Sequence, residues 1–266
     1  MPVALSTEAE LFYEVRGSGP RLLFVNGSGS TLEEAQLLTG VLASRFELLA
    51  FDYRGLGRSS EVTGDYTMAD CAADAAAVMD AAGWASPAVV GISFGGMVAL
   101  ELAVTYPGRV GRLALLCTSP GGAGGSSYPL HELAGLDPED AKLRRRRLMD
   151  SRFDDAWLAS HPGDQALITA MESRAAGPDH PRAAGIHEQL QARRGHDTWD
   201  RLGAISCPTF IGAGRYDGIA PEVNSRAMAS RIAHAELHVY EGGHGFLAQD
   251  RTAFEDIIGF LESGTT

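Results

Sequence analysis

The stretch Ala88-Val89-Val90-Gly91-Ile92-Ser93-Phe94-Gly95-Gly96-Met97-Val98-Ala99-Leu100 decides the fold. Its first five residues form a short, almost continuous apolar run, the pattern of a strand buried on both faces. From Gly96 to Thr105 the chain is apolar nearly all round, as in a helix buried against a sheet, and Pro107 stands just past its end. Strand and helix meet at Gly91-Ile92-Ser93-Phe94-Gly95, a Gly-x-Ser-x-Gly sequence. Such a sequence is common by chance; the strand–turn–helix setting makes it a nucleophile elbow. So tight a turn has no room for side chains two positions either side of the serine, and both positions are glycine. Ser93 is then held at the carboxyl edge of the sheet, and the backbone N–H of Phe94 faces the place where an oxyanion would form.

A serine hydroxyl needs an adjacent base to become a nucleophile. Of the eight histidines, His244 alone has the setting for it, in Glu241-Gly242-Gly243-His244-Gly245-Phe246 after the apolar run Leu237–Tyr240. Flanking glycines suit a loop shaped to aim one side chain. An acid must hold that imidazole in the right tautomer. Asp217 follows the run Thr209–Ile211 in a glycine-rich loop, Gly212-Ala213-Gly214-Arg215-Tyr216-Asp217. The chain order Ser, Asp, His suits the elbow.

Outward from the elbow the rhythm repeats. Val3–Val15 reads as a β-hairpin, and apolar runs at Leu22–Val25, Leu48–Phe51, Leu113–Cys117, Thr209–Ile211 and Leu237–Tyr240 read as further strands. Helices are expected over Met68–Ala82, Pro221–Arg231 and Thr252–Glu262. The alternation implies an α/β architecture, a mostly parallel doubly wound sheet. Residues 120–203 break the pattern, with helical signals and no strand. They are expected to form a helical lid inserted between two parts of one core domain, 1–119 and 204–266.

At 266 residues the chain is long enough for one large core. Its 34 acidic against 22 basic residues give a net charge of −12, which disfavours nucleic acid and anionic membrane surfaces as partners. The three cysteines are too scattered for a disulfide framework, and no pair has metal-ligand spacing. Met1–Glu10 lacks a basic stretch followed by an apolar run, and no apolar run is long enough to span a membrane. A cytoplasmic protein acting on a small molecule, without metal or organic cofactor, is expected.

Together these motifs resemble the α/β-hydrolase superfamily across nearly the whole chain. The resemblance rests on Asn26-Gly27-Ser28-Gly29, on Asp52-Tyr53-Arg54-Gly55-Leu56-Gly57-Arg58-Ser59, on the elbow, and on the Asp217 and His244 loops. It implies an α/β-hydrolase fold, with Ser93, His244 and Asp217 as nucleophile, base and orienting acid. Some family members carry the acid one strand earlier, where this chain reads Thr118-Ser119-Pro120 and offers no carboxylate. Members usually have His-Gly after the third strand, and the next residue gives the second oxyanion N–H. Here Asn26 replaces that histidine, so Ser28 is the candidate donor beside Phe94. An asparagine at this place resembles the 3-oxoadipate enol-lactonases; small-lid esterases and cofactor-free haloperoxidases are similar. Serine at position 93 separates the chain from haloalkane dehalogenases and epoxide hydrolases, which resemble it but hold aspartate there.

The resemblance implies hydrolysis of a small or medium, mostly apolar carboxylic ester or lactone through an acyl-enzyme. The alternatives are carbon–carbon bond hydrolysis of β-diketone-like compounds, or a small-molecule receptor of the same fold with little turnover. Tyr128, Phe153 and Trp157 are candidate pocket walls, although lid packing explains them equally well. Asp52 and Arg54 read as turn-fixing residues. Arg144–Arg147 cannot converge on one ligand, because consecutive helical residues point in different directions, and they are expected to face solvent and balance Glu139, Asp140 and Asp150.

Overall fold

Strands form where apolar runs can be covered on both sides, and most of the runs above do so. The computed structural model describes residues 2–62, 64–174 and 182–263. Its strands are β1 (Val3–Ser6), β2 (Ala9–Arg16), β3 (Arg21–Val25), β4 (Glu47–Phe51), β5 (Ala88–Ile92), β6 (Arg112–Leu116), β7 (Thr209–Gly214) and β8 (Ala235–Tyr240). They make one sheet in the order β1-β2-β4-β3-β5-β6-β7-β8. The β1–β2 and β2–β4 pairs are antiparallel and the others parallel, as expected of an α/β-hydrolase sheet.

Helices cover both faces. In the first half these are α1 (Gln36–Ala43), α2 (Met68–Ala81) and α3 (Phe94–Thr105). The long connection from β6 to β7 carries α4 (Pro138–Met149), α5 (Asp155–Ser160), α6 (Pro162–Arg174) and α7 (Ala183–Ala192), and after β7 come α8 (Glu222–Arg231), α9 (Phe246–Gln249) and α10 (Thr252–Glu262). One buried cluster joins α2, α3 and α8 to one face of the sheet, and a second joins α1, α9 and α10 to the other. Among the described residues no helix is long and apolar enough to cross a membrane.

Local chemistry explains the helix ends. Thr67 and Asp70 cap α2 reciprocally, and Gly83 follows it with φ of 71°. Asp137 accepts the N–H of Glu139 and Pro138 opens α4. Helix α1 has no counterpart in the sequence reading. Thr39 and Gly40 weaken its intrinsic propensity, and it forms because Thr39 and Leu42 are buried against the sheet.

Between β6 and β7 no strand of the sheet occurs among the described residues; a single bridge pairs Gly121 with Asp197. This helical insert has its own small core of Leu133, Leu148, Met149, Phe153, Leu158 and Ile168, closed by Ile219 from the loop after β7. The arginine run radiates as expected, but its partners differ. Arg146 bonds Glu172 at 2.6 Å, Arg147 reaches Asp154 at 3.3 Å, and the Arg144 guanidinium lies over the Tyr128 ring. Asp150 is taken by Arg152, two residues along, at 2.6 Å.

Asp52 fixes its turn as expected, accepting the N–H of Leu32 at 2.7 Å and that of Arg58 at 3.0 Å. Arg54 does something else. Its guanidinium grips Asp74 of α2 through bonds of 2.7 and 2.6 Å, with both side chains buried, so the loop after β4 is clamped to the helix layer.

Candidate active site

The loops that carry the candidate residues all leave the carboxyl ends of strands. Ser93 lies between β5 and α3 with φ 55° and ψ −114°, a strained backbone for a residue with a side chain. The strain is held from both sides. The Ser93 N–H donates to Leu116 O at 2.8 Å, and Thr118 Oγ1 donates to Ser93 O at 2.8 Å. A Cβ on Gly91 would collide with the carbonyl of Gly95, and one on Gly95 with the carbonyls of Val25 and Asn26.

His244 is aimed by its loop. Its own N–H donates to Met149 O at 2.6 Å, and the Gly243 N–H donates to Gln249 Oε1 at 2.9 Å. The end of α4 therefore helps set the histidine. Asp217 is buried, and its Oδ1 accepts the N–H groups of Ile219 and Ala220, each at 2.8 Å. Its Oδ2 stands 2.8 Å from His244 Nδ1, and His244 Nε2 stands 2.9 Å from Ser93 Oγ. An ionised carboxylate only accepts, so Nδ1 carries the proton and Nε2 offers its lone pair to the serine hydroxyl.

Two backbone donors flank the serine. The Gly27 N–H is taken by Asn26 Oδ1 at 2.9 Å and the Gly29 N–H by Gln189 Oε1 at 2.7 Å. Among the described residues, the N–H groups of Ser28 and Phe94 have no acceptor. A Cβ on Gly27 would lie 4.0 Å from Ser93 Cβ, so the Ser28 loop runs directly beside the elbow.

Phe153 is buried in the core of the insert, with Tyr128 and Trp157 packed against it. The Trp157 indole N–H donates to Asp164 at 2.8 Å, and its ring stacks on His161. None of the three lines the cavity of about 360 Å³ that opens near Met97, Ser127, His131, Arg193, Arg194 and His196. Their apolar bulk goes to packing the insert's helices together.

Sequence reasoning missed Gln189, Arg193 and His196. Gln189 is one polar residue among several on α7, and its partner Gly29 is 160 positions away, so nothing local marks it. His196 is buried and bonds Ser119 O through Nε2 at 3.0 Å; burial pulls its pKa down to about 4. Burial likewise lowers the Arg193 guanidinium to about 10. Among the described residues, no group of three His, Cys, Asp or Glu side chains is placed to hold a metal ion.

Residues 20–250 match the family model described as the alpha/beta hydrolase fold. The chain belongs to the α/β-hydrolase family. This hydrolase is 30% identical to the putative carbamate hydrolase RutD of Variovorax paradoxus, over 94% of this chain and 96% of the relative. It is also 30% identical to the 2-hydroxymuconate semialdehyde hydrolase of a Pseudomonas species, over 91% of this chain and 87% of that one. The crystal structure of the enol-lactonase from Burkholderia xenovorans superposes with a TM-score of 0.79 at 21% identity, covering 98% of this hydrolase and 99% of the lactonase. At that identity the likeness speaks for the fold alone.

Proposed function

We propose that this hydrolase cleaves a small or medium carboxylic ester or lactone by two-step acyl transfer through Ser93, His244 and Asp217. The reading is carried by the unbroken relay from Asp217 Oδ2 to His244 at 2.8 Å and from His244 to Ser93 Oγ at 2.9 Å. His244 Nε2 takes the hydroxyl proton as Ser93 Oγ attacks the carbonyl carbon. Negative charge develops on the carbonyl oxygen, and the N–H groups of Phe94 and Ser28 are the donors free to meet it. His244 returns the proton to the leaving alkoxide. Water then attacks the acyl carbon while giving a proton to His244, and His244 returns that proton to Ser93 Oγ as the acid leaves. Residues 120–203 act as a lid that shapes the substrate site.

A second reading uses the same machinery on a carbon–carbon bond, and the named 2-hydroxymuconate semialdehyde hydrolase relative favours including it. Labelling with a fluorophosphonate, followed by mass mapping, tests the shared nucleophile. Modification confined to the peptide containing Ser93, with turnover of p-nitrophenyl esters or simple lactones, supports the proposal. Turnover of a β-diketone-like compound with no ester or lactone cleavage selects the second reading. Rapid labelling without any turnover marks a receptor.

A further inference from the structure

Among the described residues, Arg193 is a buried cation whose charge no carboxylate answers. It is 8% exposed, the same as Arg54, yet Arg54 is gripped by Asp74 through two bonds. The Arg193 guanidinium donates to the Tyr128 carbonyl at 3.2 Å, and among the described residues no carboxylate lies within ion-pair distance of it. The chain has 34 acidic residues and a net charge of −12, so this isolation is not for want of carboxylates. Burying an unpaired charge is costly, and a guanidinium has five N–H donors to satisfy.

Arg193 lines the cavity of about 360 Å³ together with Ser127, His131, Arg194 and His196, and among the described residues no acidic one lines it. His196 gives its Nε2 hydrogen to Ser119 O, and its buried Nδ1 has no partner among the described residues. Being neutral, that imidazole leaves Arg193 as the buried charge of the wall, beside the exposed Arg194. The volume suits a small organic molecule.

Two helices tie the cavity to the reacting centre. Met97, in the cavity wall, stands four residues after Ser93 at the start of α3. Arg193 stands four residues after Gln189, whose side chain holds the Gly29 N–H, and Arg193 keeps helical backbone angles at the end of α7. Residues four apart share a helix face about 6 Å along the axis. The cavity thus lies one helical turn from both the elbow and the oxyanion loop.

We infer that this cavity is a subsite for an anionic group of the substrate, a carboxylate held by the Arg193 fork. A planar carboxylate matches a planar guanidinium through paired bonds, and its single charge balances the one buried cation. This sharpens the expectation of a mostly apolar substrate: the molecule cleaved carries a carboxylate a short chain away from the scissile carbonyl. The subsite rests on the proposed hydrolysis only for what the carboxylate is attached to.

The test separates the two. Binding of hexanoate and of hexanamide is measured by calorimetry on wild type, Ser93→Ala and Arg193→Gln. Hexanoate is expected to bind wild type and Ser93→Ala at least tenfold more tightly than hexanamide, with that preference lost in Arg193→Gln. In parallel, the ratio of kcat/KM for the p-nitrophenyl monoester of adipic acid to that for p-nitrophenyl hexanoate should exceed ten in wild type and fall at least tenfold in Arg193→Gln. Equal binding of hexanoate and hexanamide by wild type overturns the subsite without reference to any variant's folding. Binding of inorganic phosphate in place of hexanoate overturns it too. Arg193-dependent hexanoate binding by a protein that cleaves no ester leaves the subsite standing and removes the proposed reaction.

Discussion

Gln189 and Gly29 join the helical insert to the loop beside the elbow: the Gln189 Oε1 accepts the Gly29 N–H at 2.7 Å. Gln189 is fully buried, and its Nε2 has no partner among the described residues. The glutamine is thus committed to one bond, and that bond occupies the N–H next to Ser28. Gln189→Leu would free the Gly29 N–H and loosen the Ser28 donor. We expect kcat on a p-nitrophenyl ester to fall about tenfold with KM little changed, less than the roughly 10²–10³ lost when an oxyanion donor itself is removed. An unchanged kcat would mean that Gln189 packs the insert and positions nothing.

His196 sets a pH dependence of stability. Its folded pKa of about 4 lies below the ordinary 6.5, chiefly because burial disfavours the charged ring. Between those values the unfolded chain binds the extra proton, so stability is full above about 6.5 and drains as pH falls toward 4. At about 1.4 kcal/mol per pH unit, the loss between pH 7.5 and 4.5 is roughly 2 to 3 kcal/mol. Urea unfolding of wild type and His196→Gln at both pH values checks this. The variant should lose less by that difference, and parallel losses would count against it.

The Arg54–Asp74 pair tests packing away from the site. Arg54→Met leaves Asp74, with a fully buried side chain, without its cation. Breaking a buried pair from one side costs roughly 3–5 kcal/mol, whereas replacing both partners by apolar residues is far milder. Denaturation midpoints of Arg54→Met and of the Arg54→Met/Asp74→Leu double variant should therefore diverge, with the double variant the more stable.

Gly95→Ala probes the elbow. The added Cβ would meet the backbone carbonyls of Val25 and Asn26, atoms that cannot swing aside like a side-chain tip. A lower melting temperature together with a larger loss of kcat than of KM is expected. Wild-type kinetics and stability would show that β3 and α3 can part without cost.

How far the sequence spoke follows from the range of the interactions. Strand and helix patterns are local, so β3 through β8 fall close to where the apolar runs place them, and the elbow, the Asp217 loop and the His244 loop are legible from a few neighbouring residues. Helix α1 was not, because burial of Thr39 and Leu42 stabilises it against its own propensity. Arg54 looked like a turn residue and is half of an ion pair whose other half is 20 positions on. Tyr128 and Trp157 looked like pocket walls because large aromatic residues serve both purposes; which one they serve depends on how α4, α5 and α6 pack. Arg193 sits beside Arg194 in the sequence, and only folding buries the first and leaves the second exposed.

The most direct measurement is kcat/KM for a short series of p-nitrophenyl esters with wild type, Ser93→Ala, His244→Ala and the Ser93→Ala/His244→Ala double variant. Wild type should turn over, and each variant should lose several powers of ten, with the double variant no worse than either alone because the residues act as one unit. Equal activity of wild type and Ser93→Ala would contradict the assignment of Ser93 as the nucleophile.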